Sequence, residues 1–302
     1  MSAAPGPAPR SGFVALMGWT NVGKSTLLNR LVGDKLAAVA PVAQTTRHRI
    51  TGARNLPGRG QIVFVDTPGI HRPGTRMNQA MIESTRAALR DVDVAVLVVD
   101  AARGLGRGDG TAAEMIRRAA ARSVLVLNKV DLMPRKERLL PMIRNAAEGW
   151  GFADVYPVSA LTGEGCDRLL DGLLELLPEG EALFPDDFLT DQTERVLAAE
   201  WVREKLLERT RQELPHASAV VVESWRERAD GLVEIHATIL VDRDSQKQIV
   251  IGSGGRLIKE IGTAARSELE QTLGRRVYLE LWVKTRQDWR NDPGTLRILG
   301  VE

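Results

Sequence analysis

Gly18-Trp-Thr-Asn-Val-Gly23-Lys24-Ser25 has the spacing G-x-x-x-x-G-K-[ST], with an apolar run before it and the helical stretch Thr26 to Gly33 after it. A loop of this kind holds phosphates. Its glycines let backbone N–H groups turn inward, the following helix adds positive potential, Lys24 reaches the β and γ oxygens of a nucleotide, and the Ser25 hydroxyl can ligate Mg²⁺. The expected contributors are Gly18, Asn21, Val22, Gly23, Lys24, Ser25 and Thr26. Asp66-Thr-Pro-Gly69 closes a second apolar run; its carboxylate suits a metal held through water, and the Gly69 N–H suits a γ-phosphate. Between the two lies Gln44-Thr45-Thr46-Arg47, where either Thr45 or Thr46 could complete a metal shell when a γ-phosphate is present; the residues leave both open.

Asn128-Lys129-Val-Asp131 reads the base. A carboxylate accepts from the N1–H and the exocyclic amine of guanine, whereas adenine would set a lone pair against Asp131, so GTP is favoured over ATP. Asn128 would brace the loop, the Lys129 stem would cover the base plane, and Ser159-Ala160 would offer a backbone N–H to the base oxygen.

The elements that must position these residues are short apolar runs separated by helical stretches: Phe13 to Met17, Ile62 to Val65, Val94 to Val99, Val124 to Leu127 and Val155 to Val158. Runs without polar alternation belong inside a mostly parallel sheet covered on both faces, so residues 12–178 are predicted to form an α/β P-loop domain with a doubly wound sheet. His48 to Arg54 alternates more and is expected at an edge, antiparallel to the Ile62 strand. Residues 1–11 are expected to be a flexible tail, and residues 179–190, rich in proline and acid, a linker.

Residues 191–302 change character. A helix is expected from Thr193 to Glu213, strands at Ala217 to Glu227 and Leu232 to Asp242, two helical pieces flanking Gly252 to Gly255, and a strand from Arg276 to Val283. The order α-β-β-α-α-β around a G-x-x-G turn is that of an α+β type II KH module, which grips the backbone of about four nucleotides. The candidate RNA contacts are Ile251, Gly252, Ser253, Gly254, Gly255, Arg256 and Lys259, within a basic cluster that includes Arg243, Lys247, Arg266, Arg275 and Arg276. Trp201, Trp225, Trp282 and Trp289 are expected to be core or anchoring residues rather than base-stacking ones.

Composition excludes more than it identifies. With 302 residues, 43% hydrophobic and 26% charged, the chain has the balance of a globular protein of about two domains. Its net charge of +2 places any nucleic-acid contact in a local patch. One cysteine, Cys166, permits no internal disulfide, and His48, His71, His216 and His236 lack partners at metal-ligand spacing. No apolar run approaches the roughly 20 residues of a membrane span.

GWTNVGKS, TTRHR, DTPG, NKVD and SAL, in that order, resemble the translation-factor-related GTPases, the Era group in particular, and LELWVK near the end extends the likeness over almost the whole chain from about Gly12. The departures are Trp19-Thr20, where the group usually has Arg-Pro, and residues 1–11. The resemblance implies a GTPase using GTP/GDP and Mg²⁺. It further implies binding to the 3′ end of 16S ribosomal RNA, a role in maturing the 30S subunit, a monomeric chain, and a cytoplasmic location with peripheral association at the inner face of the cell membrane. Ile70 follows Gly69 where a Ras-like enzyme places a water-orienting glutamine, so turnover should be slow and rest on positioning by Asn21, Lys24, Thr45 or Thr46, and Gly69. By the same resemblance the Asn21 side chain helps bind K⁺; the alternative is that it merely accepts positive φ in a tight loop. A rival to the switch is an RNA-binding scaffold whose nucleotide is structural.

Overall fold

The computed structural model describes residues 8–40, 46–47, 49–69, 74–119, 122–210 and 214–301, the side chains of 215 and 216 excepted. The chain parts into two compact units: most of the chain up to Asp191 forms the first, and residues from Gln192 on form the second, which also takes Ala38–Thr45 and Pro73–Ala80, the start of α2 included.

The first unit holds β1 (Arg10–Met17), α1 (Lys24–Val32), β2 (Ile50–Leu56), β3 (Gly60–Asp66), α2 (Arg76–Arg90), β4 (Val94–Asp100), α3 (Arg107–Ala119), β5 (Arg122–Asn128), α4 (Leu139–Trp150), β6 (Asp154–Pro157) and α5 (Cys166–Leu176). Its sheet runs β2-β3-β1-β4-β5-β6, parallel throughout except for the antiparallel β2–β3 pair, as the alternation before Arg54 predicts. The period of two along β4 explains the missing polar alternation: Val94, Val96 and Val98 enter the core under α1 and α5, while Ala95, Leu97 and Val99 enter the one under α3. Such a sheet sets the carboxyl ends of its strands, and the loops that follow, along one rim.

Two expectations need correcting. Arg10 and Ser11, placed in a tail by composition, begin β1: the Arg10 guanidinium donates to the Leu177 carbonyl (2.6 Å), and the Ser11 N–H donates to that of Pro178 (3.1 Å). The segment expected to be a linker is a strap along the outer edge of the sheet. Ala53 N–H donates to Leu189 O (3.1 Å), Gly52 and Thr190 form an antiparallel bridge, and Thr51 N–H donates to Asp191 Oδ1 (3.0 Å). The fully buried Gln61 fastens the strap from inside, accepting from the N–H groups of Leu183 and Phe184 (both 2.9 Å) and donating to Phe184 O (2.9 Å). Phe184 stacks on Phe188 at 4.2 Å and meets Phe13 edge-on. The strap satisfies backbone groups that an edge strand would otherwise expose.

The second unit holds α6 (Glu194–Arg209), α7 (Leu214–Ala217), β7 (Ser218–Glu227), β8 (Val233–Val241), α8 (Asp244–Ile251), α9 (Arg256–Leu273), β9 (Val277–Thr285) and α10 (Pro293–Ile298). Its sheet is β7-β8-β9, antiparallel then parallel. Val202 and Leu206 of α6 and Ile261 and Ala265 of α9 pack with Val220, Ile239 and Val241 of the sheet. The first helix ends at Arg209, short of the expected Glu213, which lies outside the described residues. The α10 helix was not expected; Asp292 caps it, accepting from Thr295 N–H at 2.8 Å. Trp201 and Trp289 are fully buried, as expected of core residues, whereas Trp282 is 54% exposed.

Candidate nucleotide and RNA sites

β1 delivers the phosphate loop and α1 receives it. Gly18 (φ 152°) and Gly23 (φ 95°) occupy conformations that favour glycine, and both are crowded: a Cβ at Gly18 would lie 2.3 Å from Val98 O, and one at Gly23 2.4 Å from Asn128 Nδ2. Lys24 is buried, its Nζ donating to the carbonyls of Gly18 (3.2 Å) and Trp19 (3.1 Å). Burial lowers its pKa, with the Asp66 carboxylate opposing that shift. Asn21 sits exposed at φ 60°, the left-handed conformation that asparagine tolerates.

Ser25, Thr46 and Asp66 converge beside Lys24. Ser25 Oγ is 2.6 Å from Thr46 Oγ1, and the two hydroxyls donate to Asp66 Oδ2 at 3.1 and 3.3 Å. Burial pushes the Asp66 carboxyl up to about 6 against the pull of Lys24 and those hydroxyls. Its second oxygen, Oδ1, is buried with no hydrogen-bond partner. Two hydroxyls and one carboxylate, whose Oδ1 is orphaned, fit Mg²⁺, which binds few protein oxygens and keeps waters and substrate phosphates. Among the described residues no group of three His, Cys, Asp or Glu could hold a metal, so a softer cation finds no cage here. Of the two threonines left open, Thr46 joins this cluster; Thr45, like Ile70, lies outside the described residues.

The base loop is braced from the middle. Asn128, 1% exposed, donates through Nδ2 to Val22 O (2.9 Å) and accepts at Oδ1 from Ala160 N–H (3.0 Å). One amide thus ties the phosphate loop to the Ser159-Ala160 loop. Of the Ser159-Ala160 pair, the Ala160 N–H bonds to Asn128 and the Ser159 N–H donates to Glu164 O (2.9 Å). Lys129 (φ 64°) extends its ammonium to Asn21 O (2.7 Å) and Asp100 Oδ2 (2.8 Å), so its side chain reaches the phosphate loop. Asp131 stands exposed in the turn that follows. Sequence reasoning missed Arg30, whose guanidinium donates to the carbonyls of Ala160 (3.2 Å) and Leu161 (2.6 Å); nothing in its spacing distinguishes it from a solvated helix arginine.

In the second unit the turn between α8 and α9 is made by glycine. Gly252, Gly254 and Gly255 have φ of 72°, 59° and 79°; a Cβ at Gly252 would meet Leu257 Cβ at 2.8 Å, whereas Gly254 and Gly255 face open space. Arg256 is exposed beside Ser253, and Ile251 anchors the preceding turn. Lys259, Thr263 and Arg266 line a groove of about 280 Å³ with Ile258, Leu279 and Leu281. Arg275 does not belong to the free basic cluster: it pairs with Glu194 (2.7 Å) and Glu227 (3.1 Å).

A phosphate loop with a guanine-reading NKxD loop, followed by a GxxG turn in an α+β module, defines a P-loop GTPase joined to a KH domain. Residues 13–129 match the family of 50S ribosome-binding GTPases, and residues 213–290 match the KH domain family. The GTPase Era of Syntrophus aciditrophicus strain SB is 47% identical over 292 residues, covering 96% of this chain and 95% of that protein. The fold matches a crystal structure of Era in complex with MgGDPNP and nucleotides 1506–1542 of 16S ribosomal RNA (TM-score 0.94, 40% identity, 97% of this chain and 99% of that one). It also matches a variant of Aquifex aeolicus Era bound to GDP and AlF₄⁻ (TM-score 0.93, 41% identity, 97% and 99%). The chain belongs to the Era family of GTPases.

Proposed function

We propose that this protein is a GTP-hydrolysing switch that binds the 3′ end of 16S ribosomal RNA and assists maturation of the 30S subunit. The convergence of Ser25, Thr46 and Asp66 beside Lys24 carries the reading, because it joins the phosphate loop to a threonine and a carboxylate from two loops that a γ-phosphate can order. Lys24 binds the β and γ oxygens and neutralises charge developing on the transferred phosphoryl group. Ser25, Thr46 and Asp66 hold Mg²⁺, which when bound neutralises phosphate charge. Gly69 donates its N–H to the γ-phosphate. Asn128, Lys129 and Asp131 select guanine, with Ser159 and Ala160 closing the loop.

Asn21 helps hold K⁺: it is exposed, and a neutral amide oxygen suits that ion. GTP hydrolysis should therefore be slow and faster in K⁺ than in Na⁺; equal rates would refute the assignment. The Gly252–Gly255 turn, with Ile251, Ser253, Gly254, Arg256 and Lys259, grips the RNA backbone.

Among the described residues no helix is long and apolar enough to cross a membrane. We place the chain in the cytoplasm as a monomer, with peripheral contact at the inner membrane face. RNA affinity measured with GDP and with a non-hydrolysable GTP analogue tests the switch. Different affinities are expected; equal ones would leave a scaffold with structural nucleotide.

A further inference from the structure

Trp19 is the bulkiest residue of the phosphate loop, and Gly108 lies directly against its ring. A Cβ on Gly108 would sit 2.7 Å from both Cδ2 and Cε3 of the indole. Gly108 is in the first turn of α3 and is not among the positive-φ glycines, so the backbone does not ask for glycine there. Glycine is also among the poorest helix formers, and what its absent side chain leaves is room for the indole. The seat is pinned: Asp109 is fully buried, accepts from Gly106 N–H at 2.8 Å, and has Arg103 within 3.7 Å. The ring packs against both hydrophobic cores of the first unit.

The backbone on either side of that ring touches the chemistry. Trp19 O accepts from Lys24 Nζ (3.1 Å), and a Cβ on Gly69 would lie 3.0 Å from Thr20 Cγ2. We infer that Trp19 is a positioning residue: its indole, seated on Gly108 of α3, fixes the loop whose carbonyls aim Lys24 and whose Thr20 sets the distance to Gly69. The inference rests on the GTPase reading and deepens it, since phosphoryl transfer depends on placement and a displacement of about 1 Å can cost up to a hundredfold in rate.

Gly108→Ala separates positioning from packing. Helix propensity alone expects the substitution to stabilise α3 and leave turnover unchanged. With Trp19 present, the methyl must displace the ring, and kcat for GTP, measured well below the variant's thermal midpoint, should fall by about tenfold or more. In a Trp19→Leu background the same Gly108→Ala change should alter kcat by less than about twofold, because the ring it collides with is gone. A kcat for Gly108→Ala within about twofold of wild type, or an equal loss in both backgrounds, overturns the inference. Should Gly108→Ala not fold, Trp19→Leu and Trp19→Phe carry the test. Leu is expected to lower kcat more than KM and Phe to restore most of it; a Leu variant as fast as wild type overturns the inference. A wild-type chain that fails to hydrolyse GTP in the same assay would sink the underlying reading instead.

Discussion

The candidate nucleotide site and the GxxG turn are built by opposite means. In the first, Lys24, Asp66 and Asn128 are nearly or fully buried and held by fixed partners at the ends of strands. In the second, the backbone supplies the geometry: three glycines at positive φ shape the turn, and Arg256 and Lys259 stand in solvent. Buried charge in a low-dielectric setting discriminates strongly but fails when one partner goes, whereas exposed charge contributes in small, salt-dependent increments. The first arrangement suits selecting one nucleotide, the second holding a polymer whose charge repeats.

The largest expected effect tests the selective half of that contrast. Asp131→Asn exchanges an acceptor pair for a mixed donor and acceptor, so GTP should lose affinity by roughly a thousandfold or more relative to xanthosine triphosphate. Competition binding with the two nucleotides measures it, and retained GTP preference would refute the base assignment. Next comes Lys24→Ala. It removes the cation placed to meet the β and γ oxygens and the charge whose field opposes the burial of Asp66. Turnover should fall to background while RNA affinity measured without nucleotide stays at the wild-type value; a parallel loss of both would show that the two sites are not built independently.

Gly252→Ala carries the comparison into the second unit. Its Cβ would meet Leu257 at 2.8 Å in a positive-φ, extended-ψ backbone open essentially to glycine alone, a strain of about 1–3 kcal/mol, so RNA affinity should drop by roughly tenfold or more. Gly254→Ala shares the strained φ but enters open space and should cost less. Electrophoretic mobility shifts with the same RNA rank the two, and the reverse order would mean that the RNA approaches Gly254 more closely than the protein approaches Gly252.

What could be read in advance follows the same division. Lys24, Ser25, Asp66 and Asn128 were legible because each stands at a fixed offset from a strand end, and a strand apolar on both faces, such as Val94 to Val99, announces its place in the sheet. The GxxG turn was legible because glycine is required by φ at three positions. The strap was not. Gln61 and Phe184 lie 123 residues apart, and a proline- and acid-rich stretch signals a turn-former whether or not an edge strand is waiting for it. The hydrogen bond from Ala160 N–H to Asn128 was not legible for a related reason, since 32 residues separate the two. Long-range hydrogen bonds of this kind leave no periodic trace.

The smallest effect is the most discriminating within the second unit. Lys259 lines the groove beside α9, while Arg275 is engaged by Glu194 and Glu227 on exposed ion pairs worth little to stability. Both carry one positive charge, so a description by net charge treats their removal as equivalent. If phosphate contacts are confined to the neighbourhood of the GxxG turn, Lys259→Ala removes one counterion-releasing contact. The slope of log affinity against log salt should then fall by about 1, with a loss of severalfold at moderate salt. Arg275→Ala should leave that slope unchanged, because its charge is already matched within the fold. Equal slopes for the two variants would mean that the RNA senses the diffuse field of the unit rather than a local set of cations, and the contrast between fixed and open recognition would lose its second half.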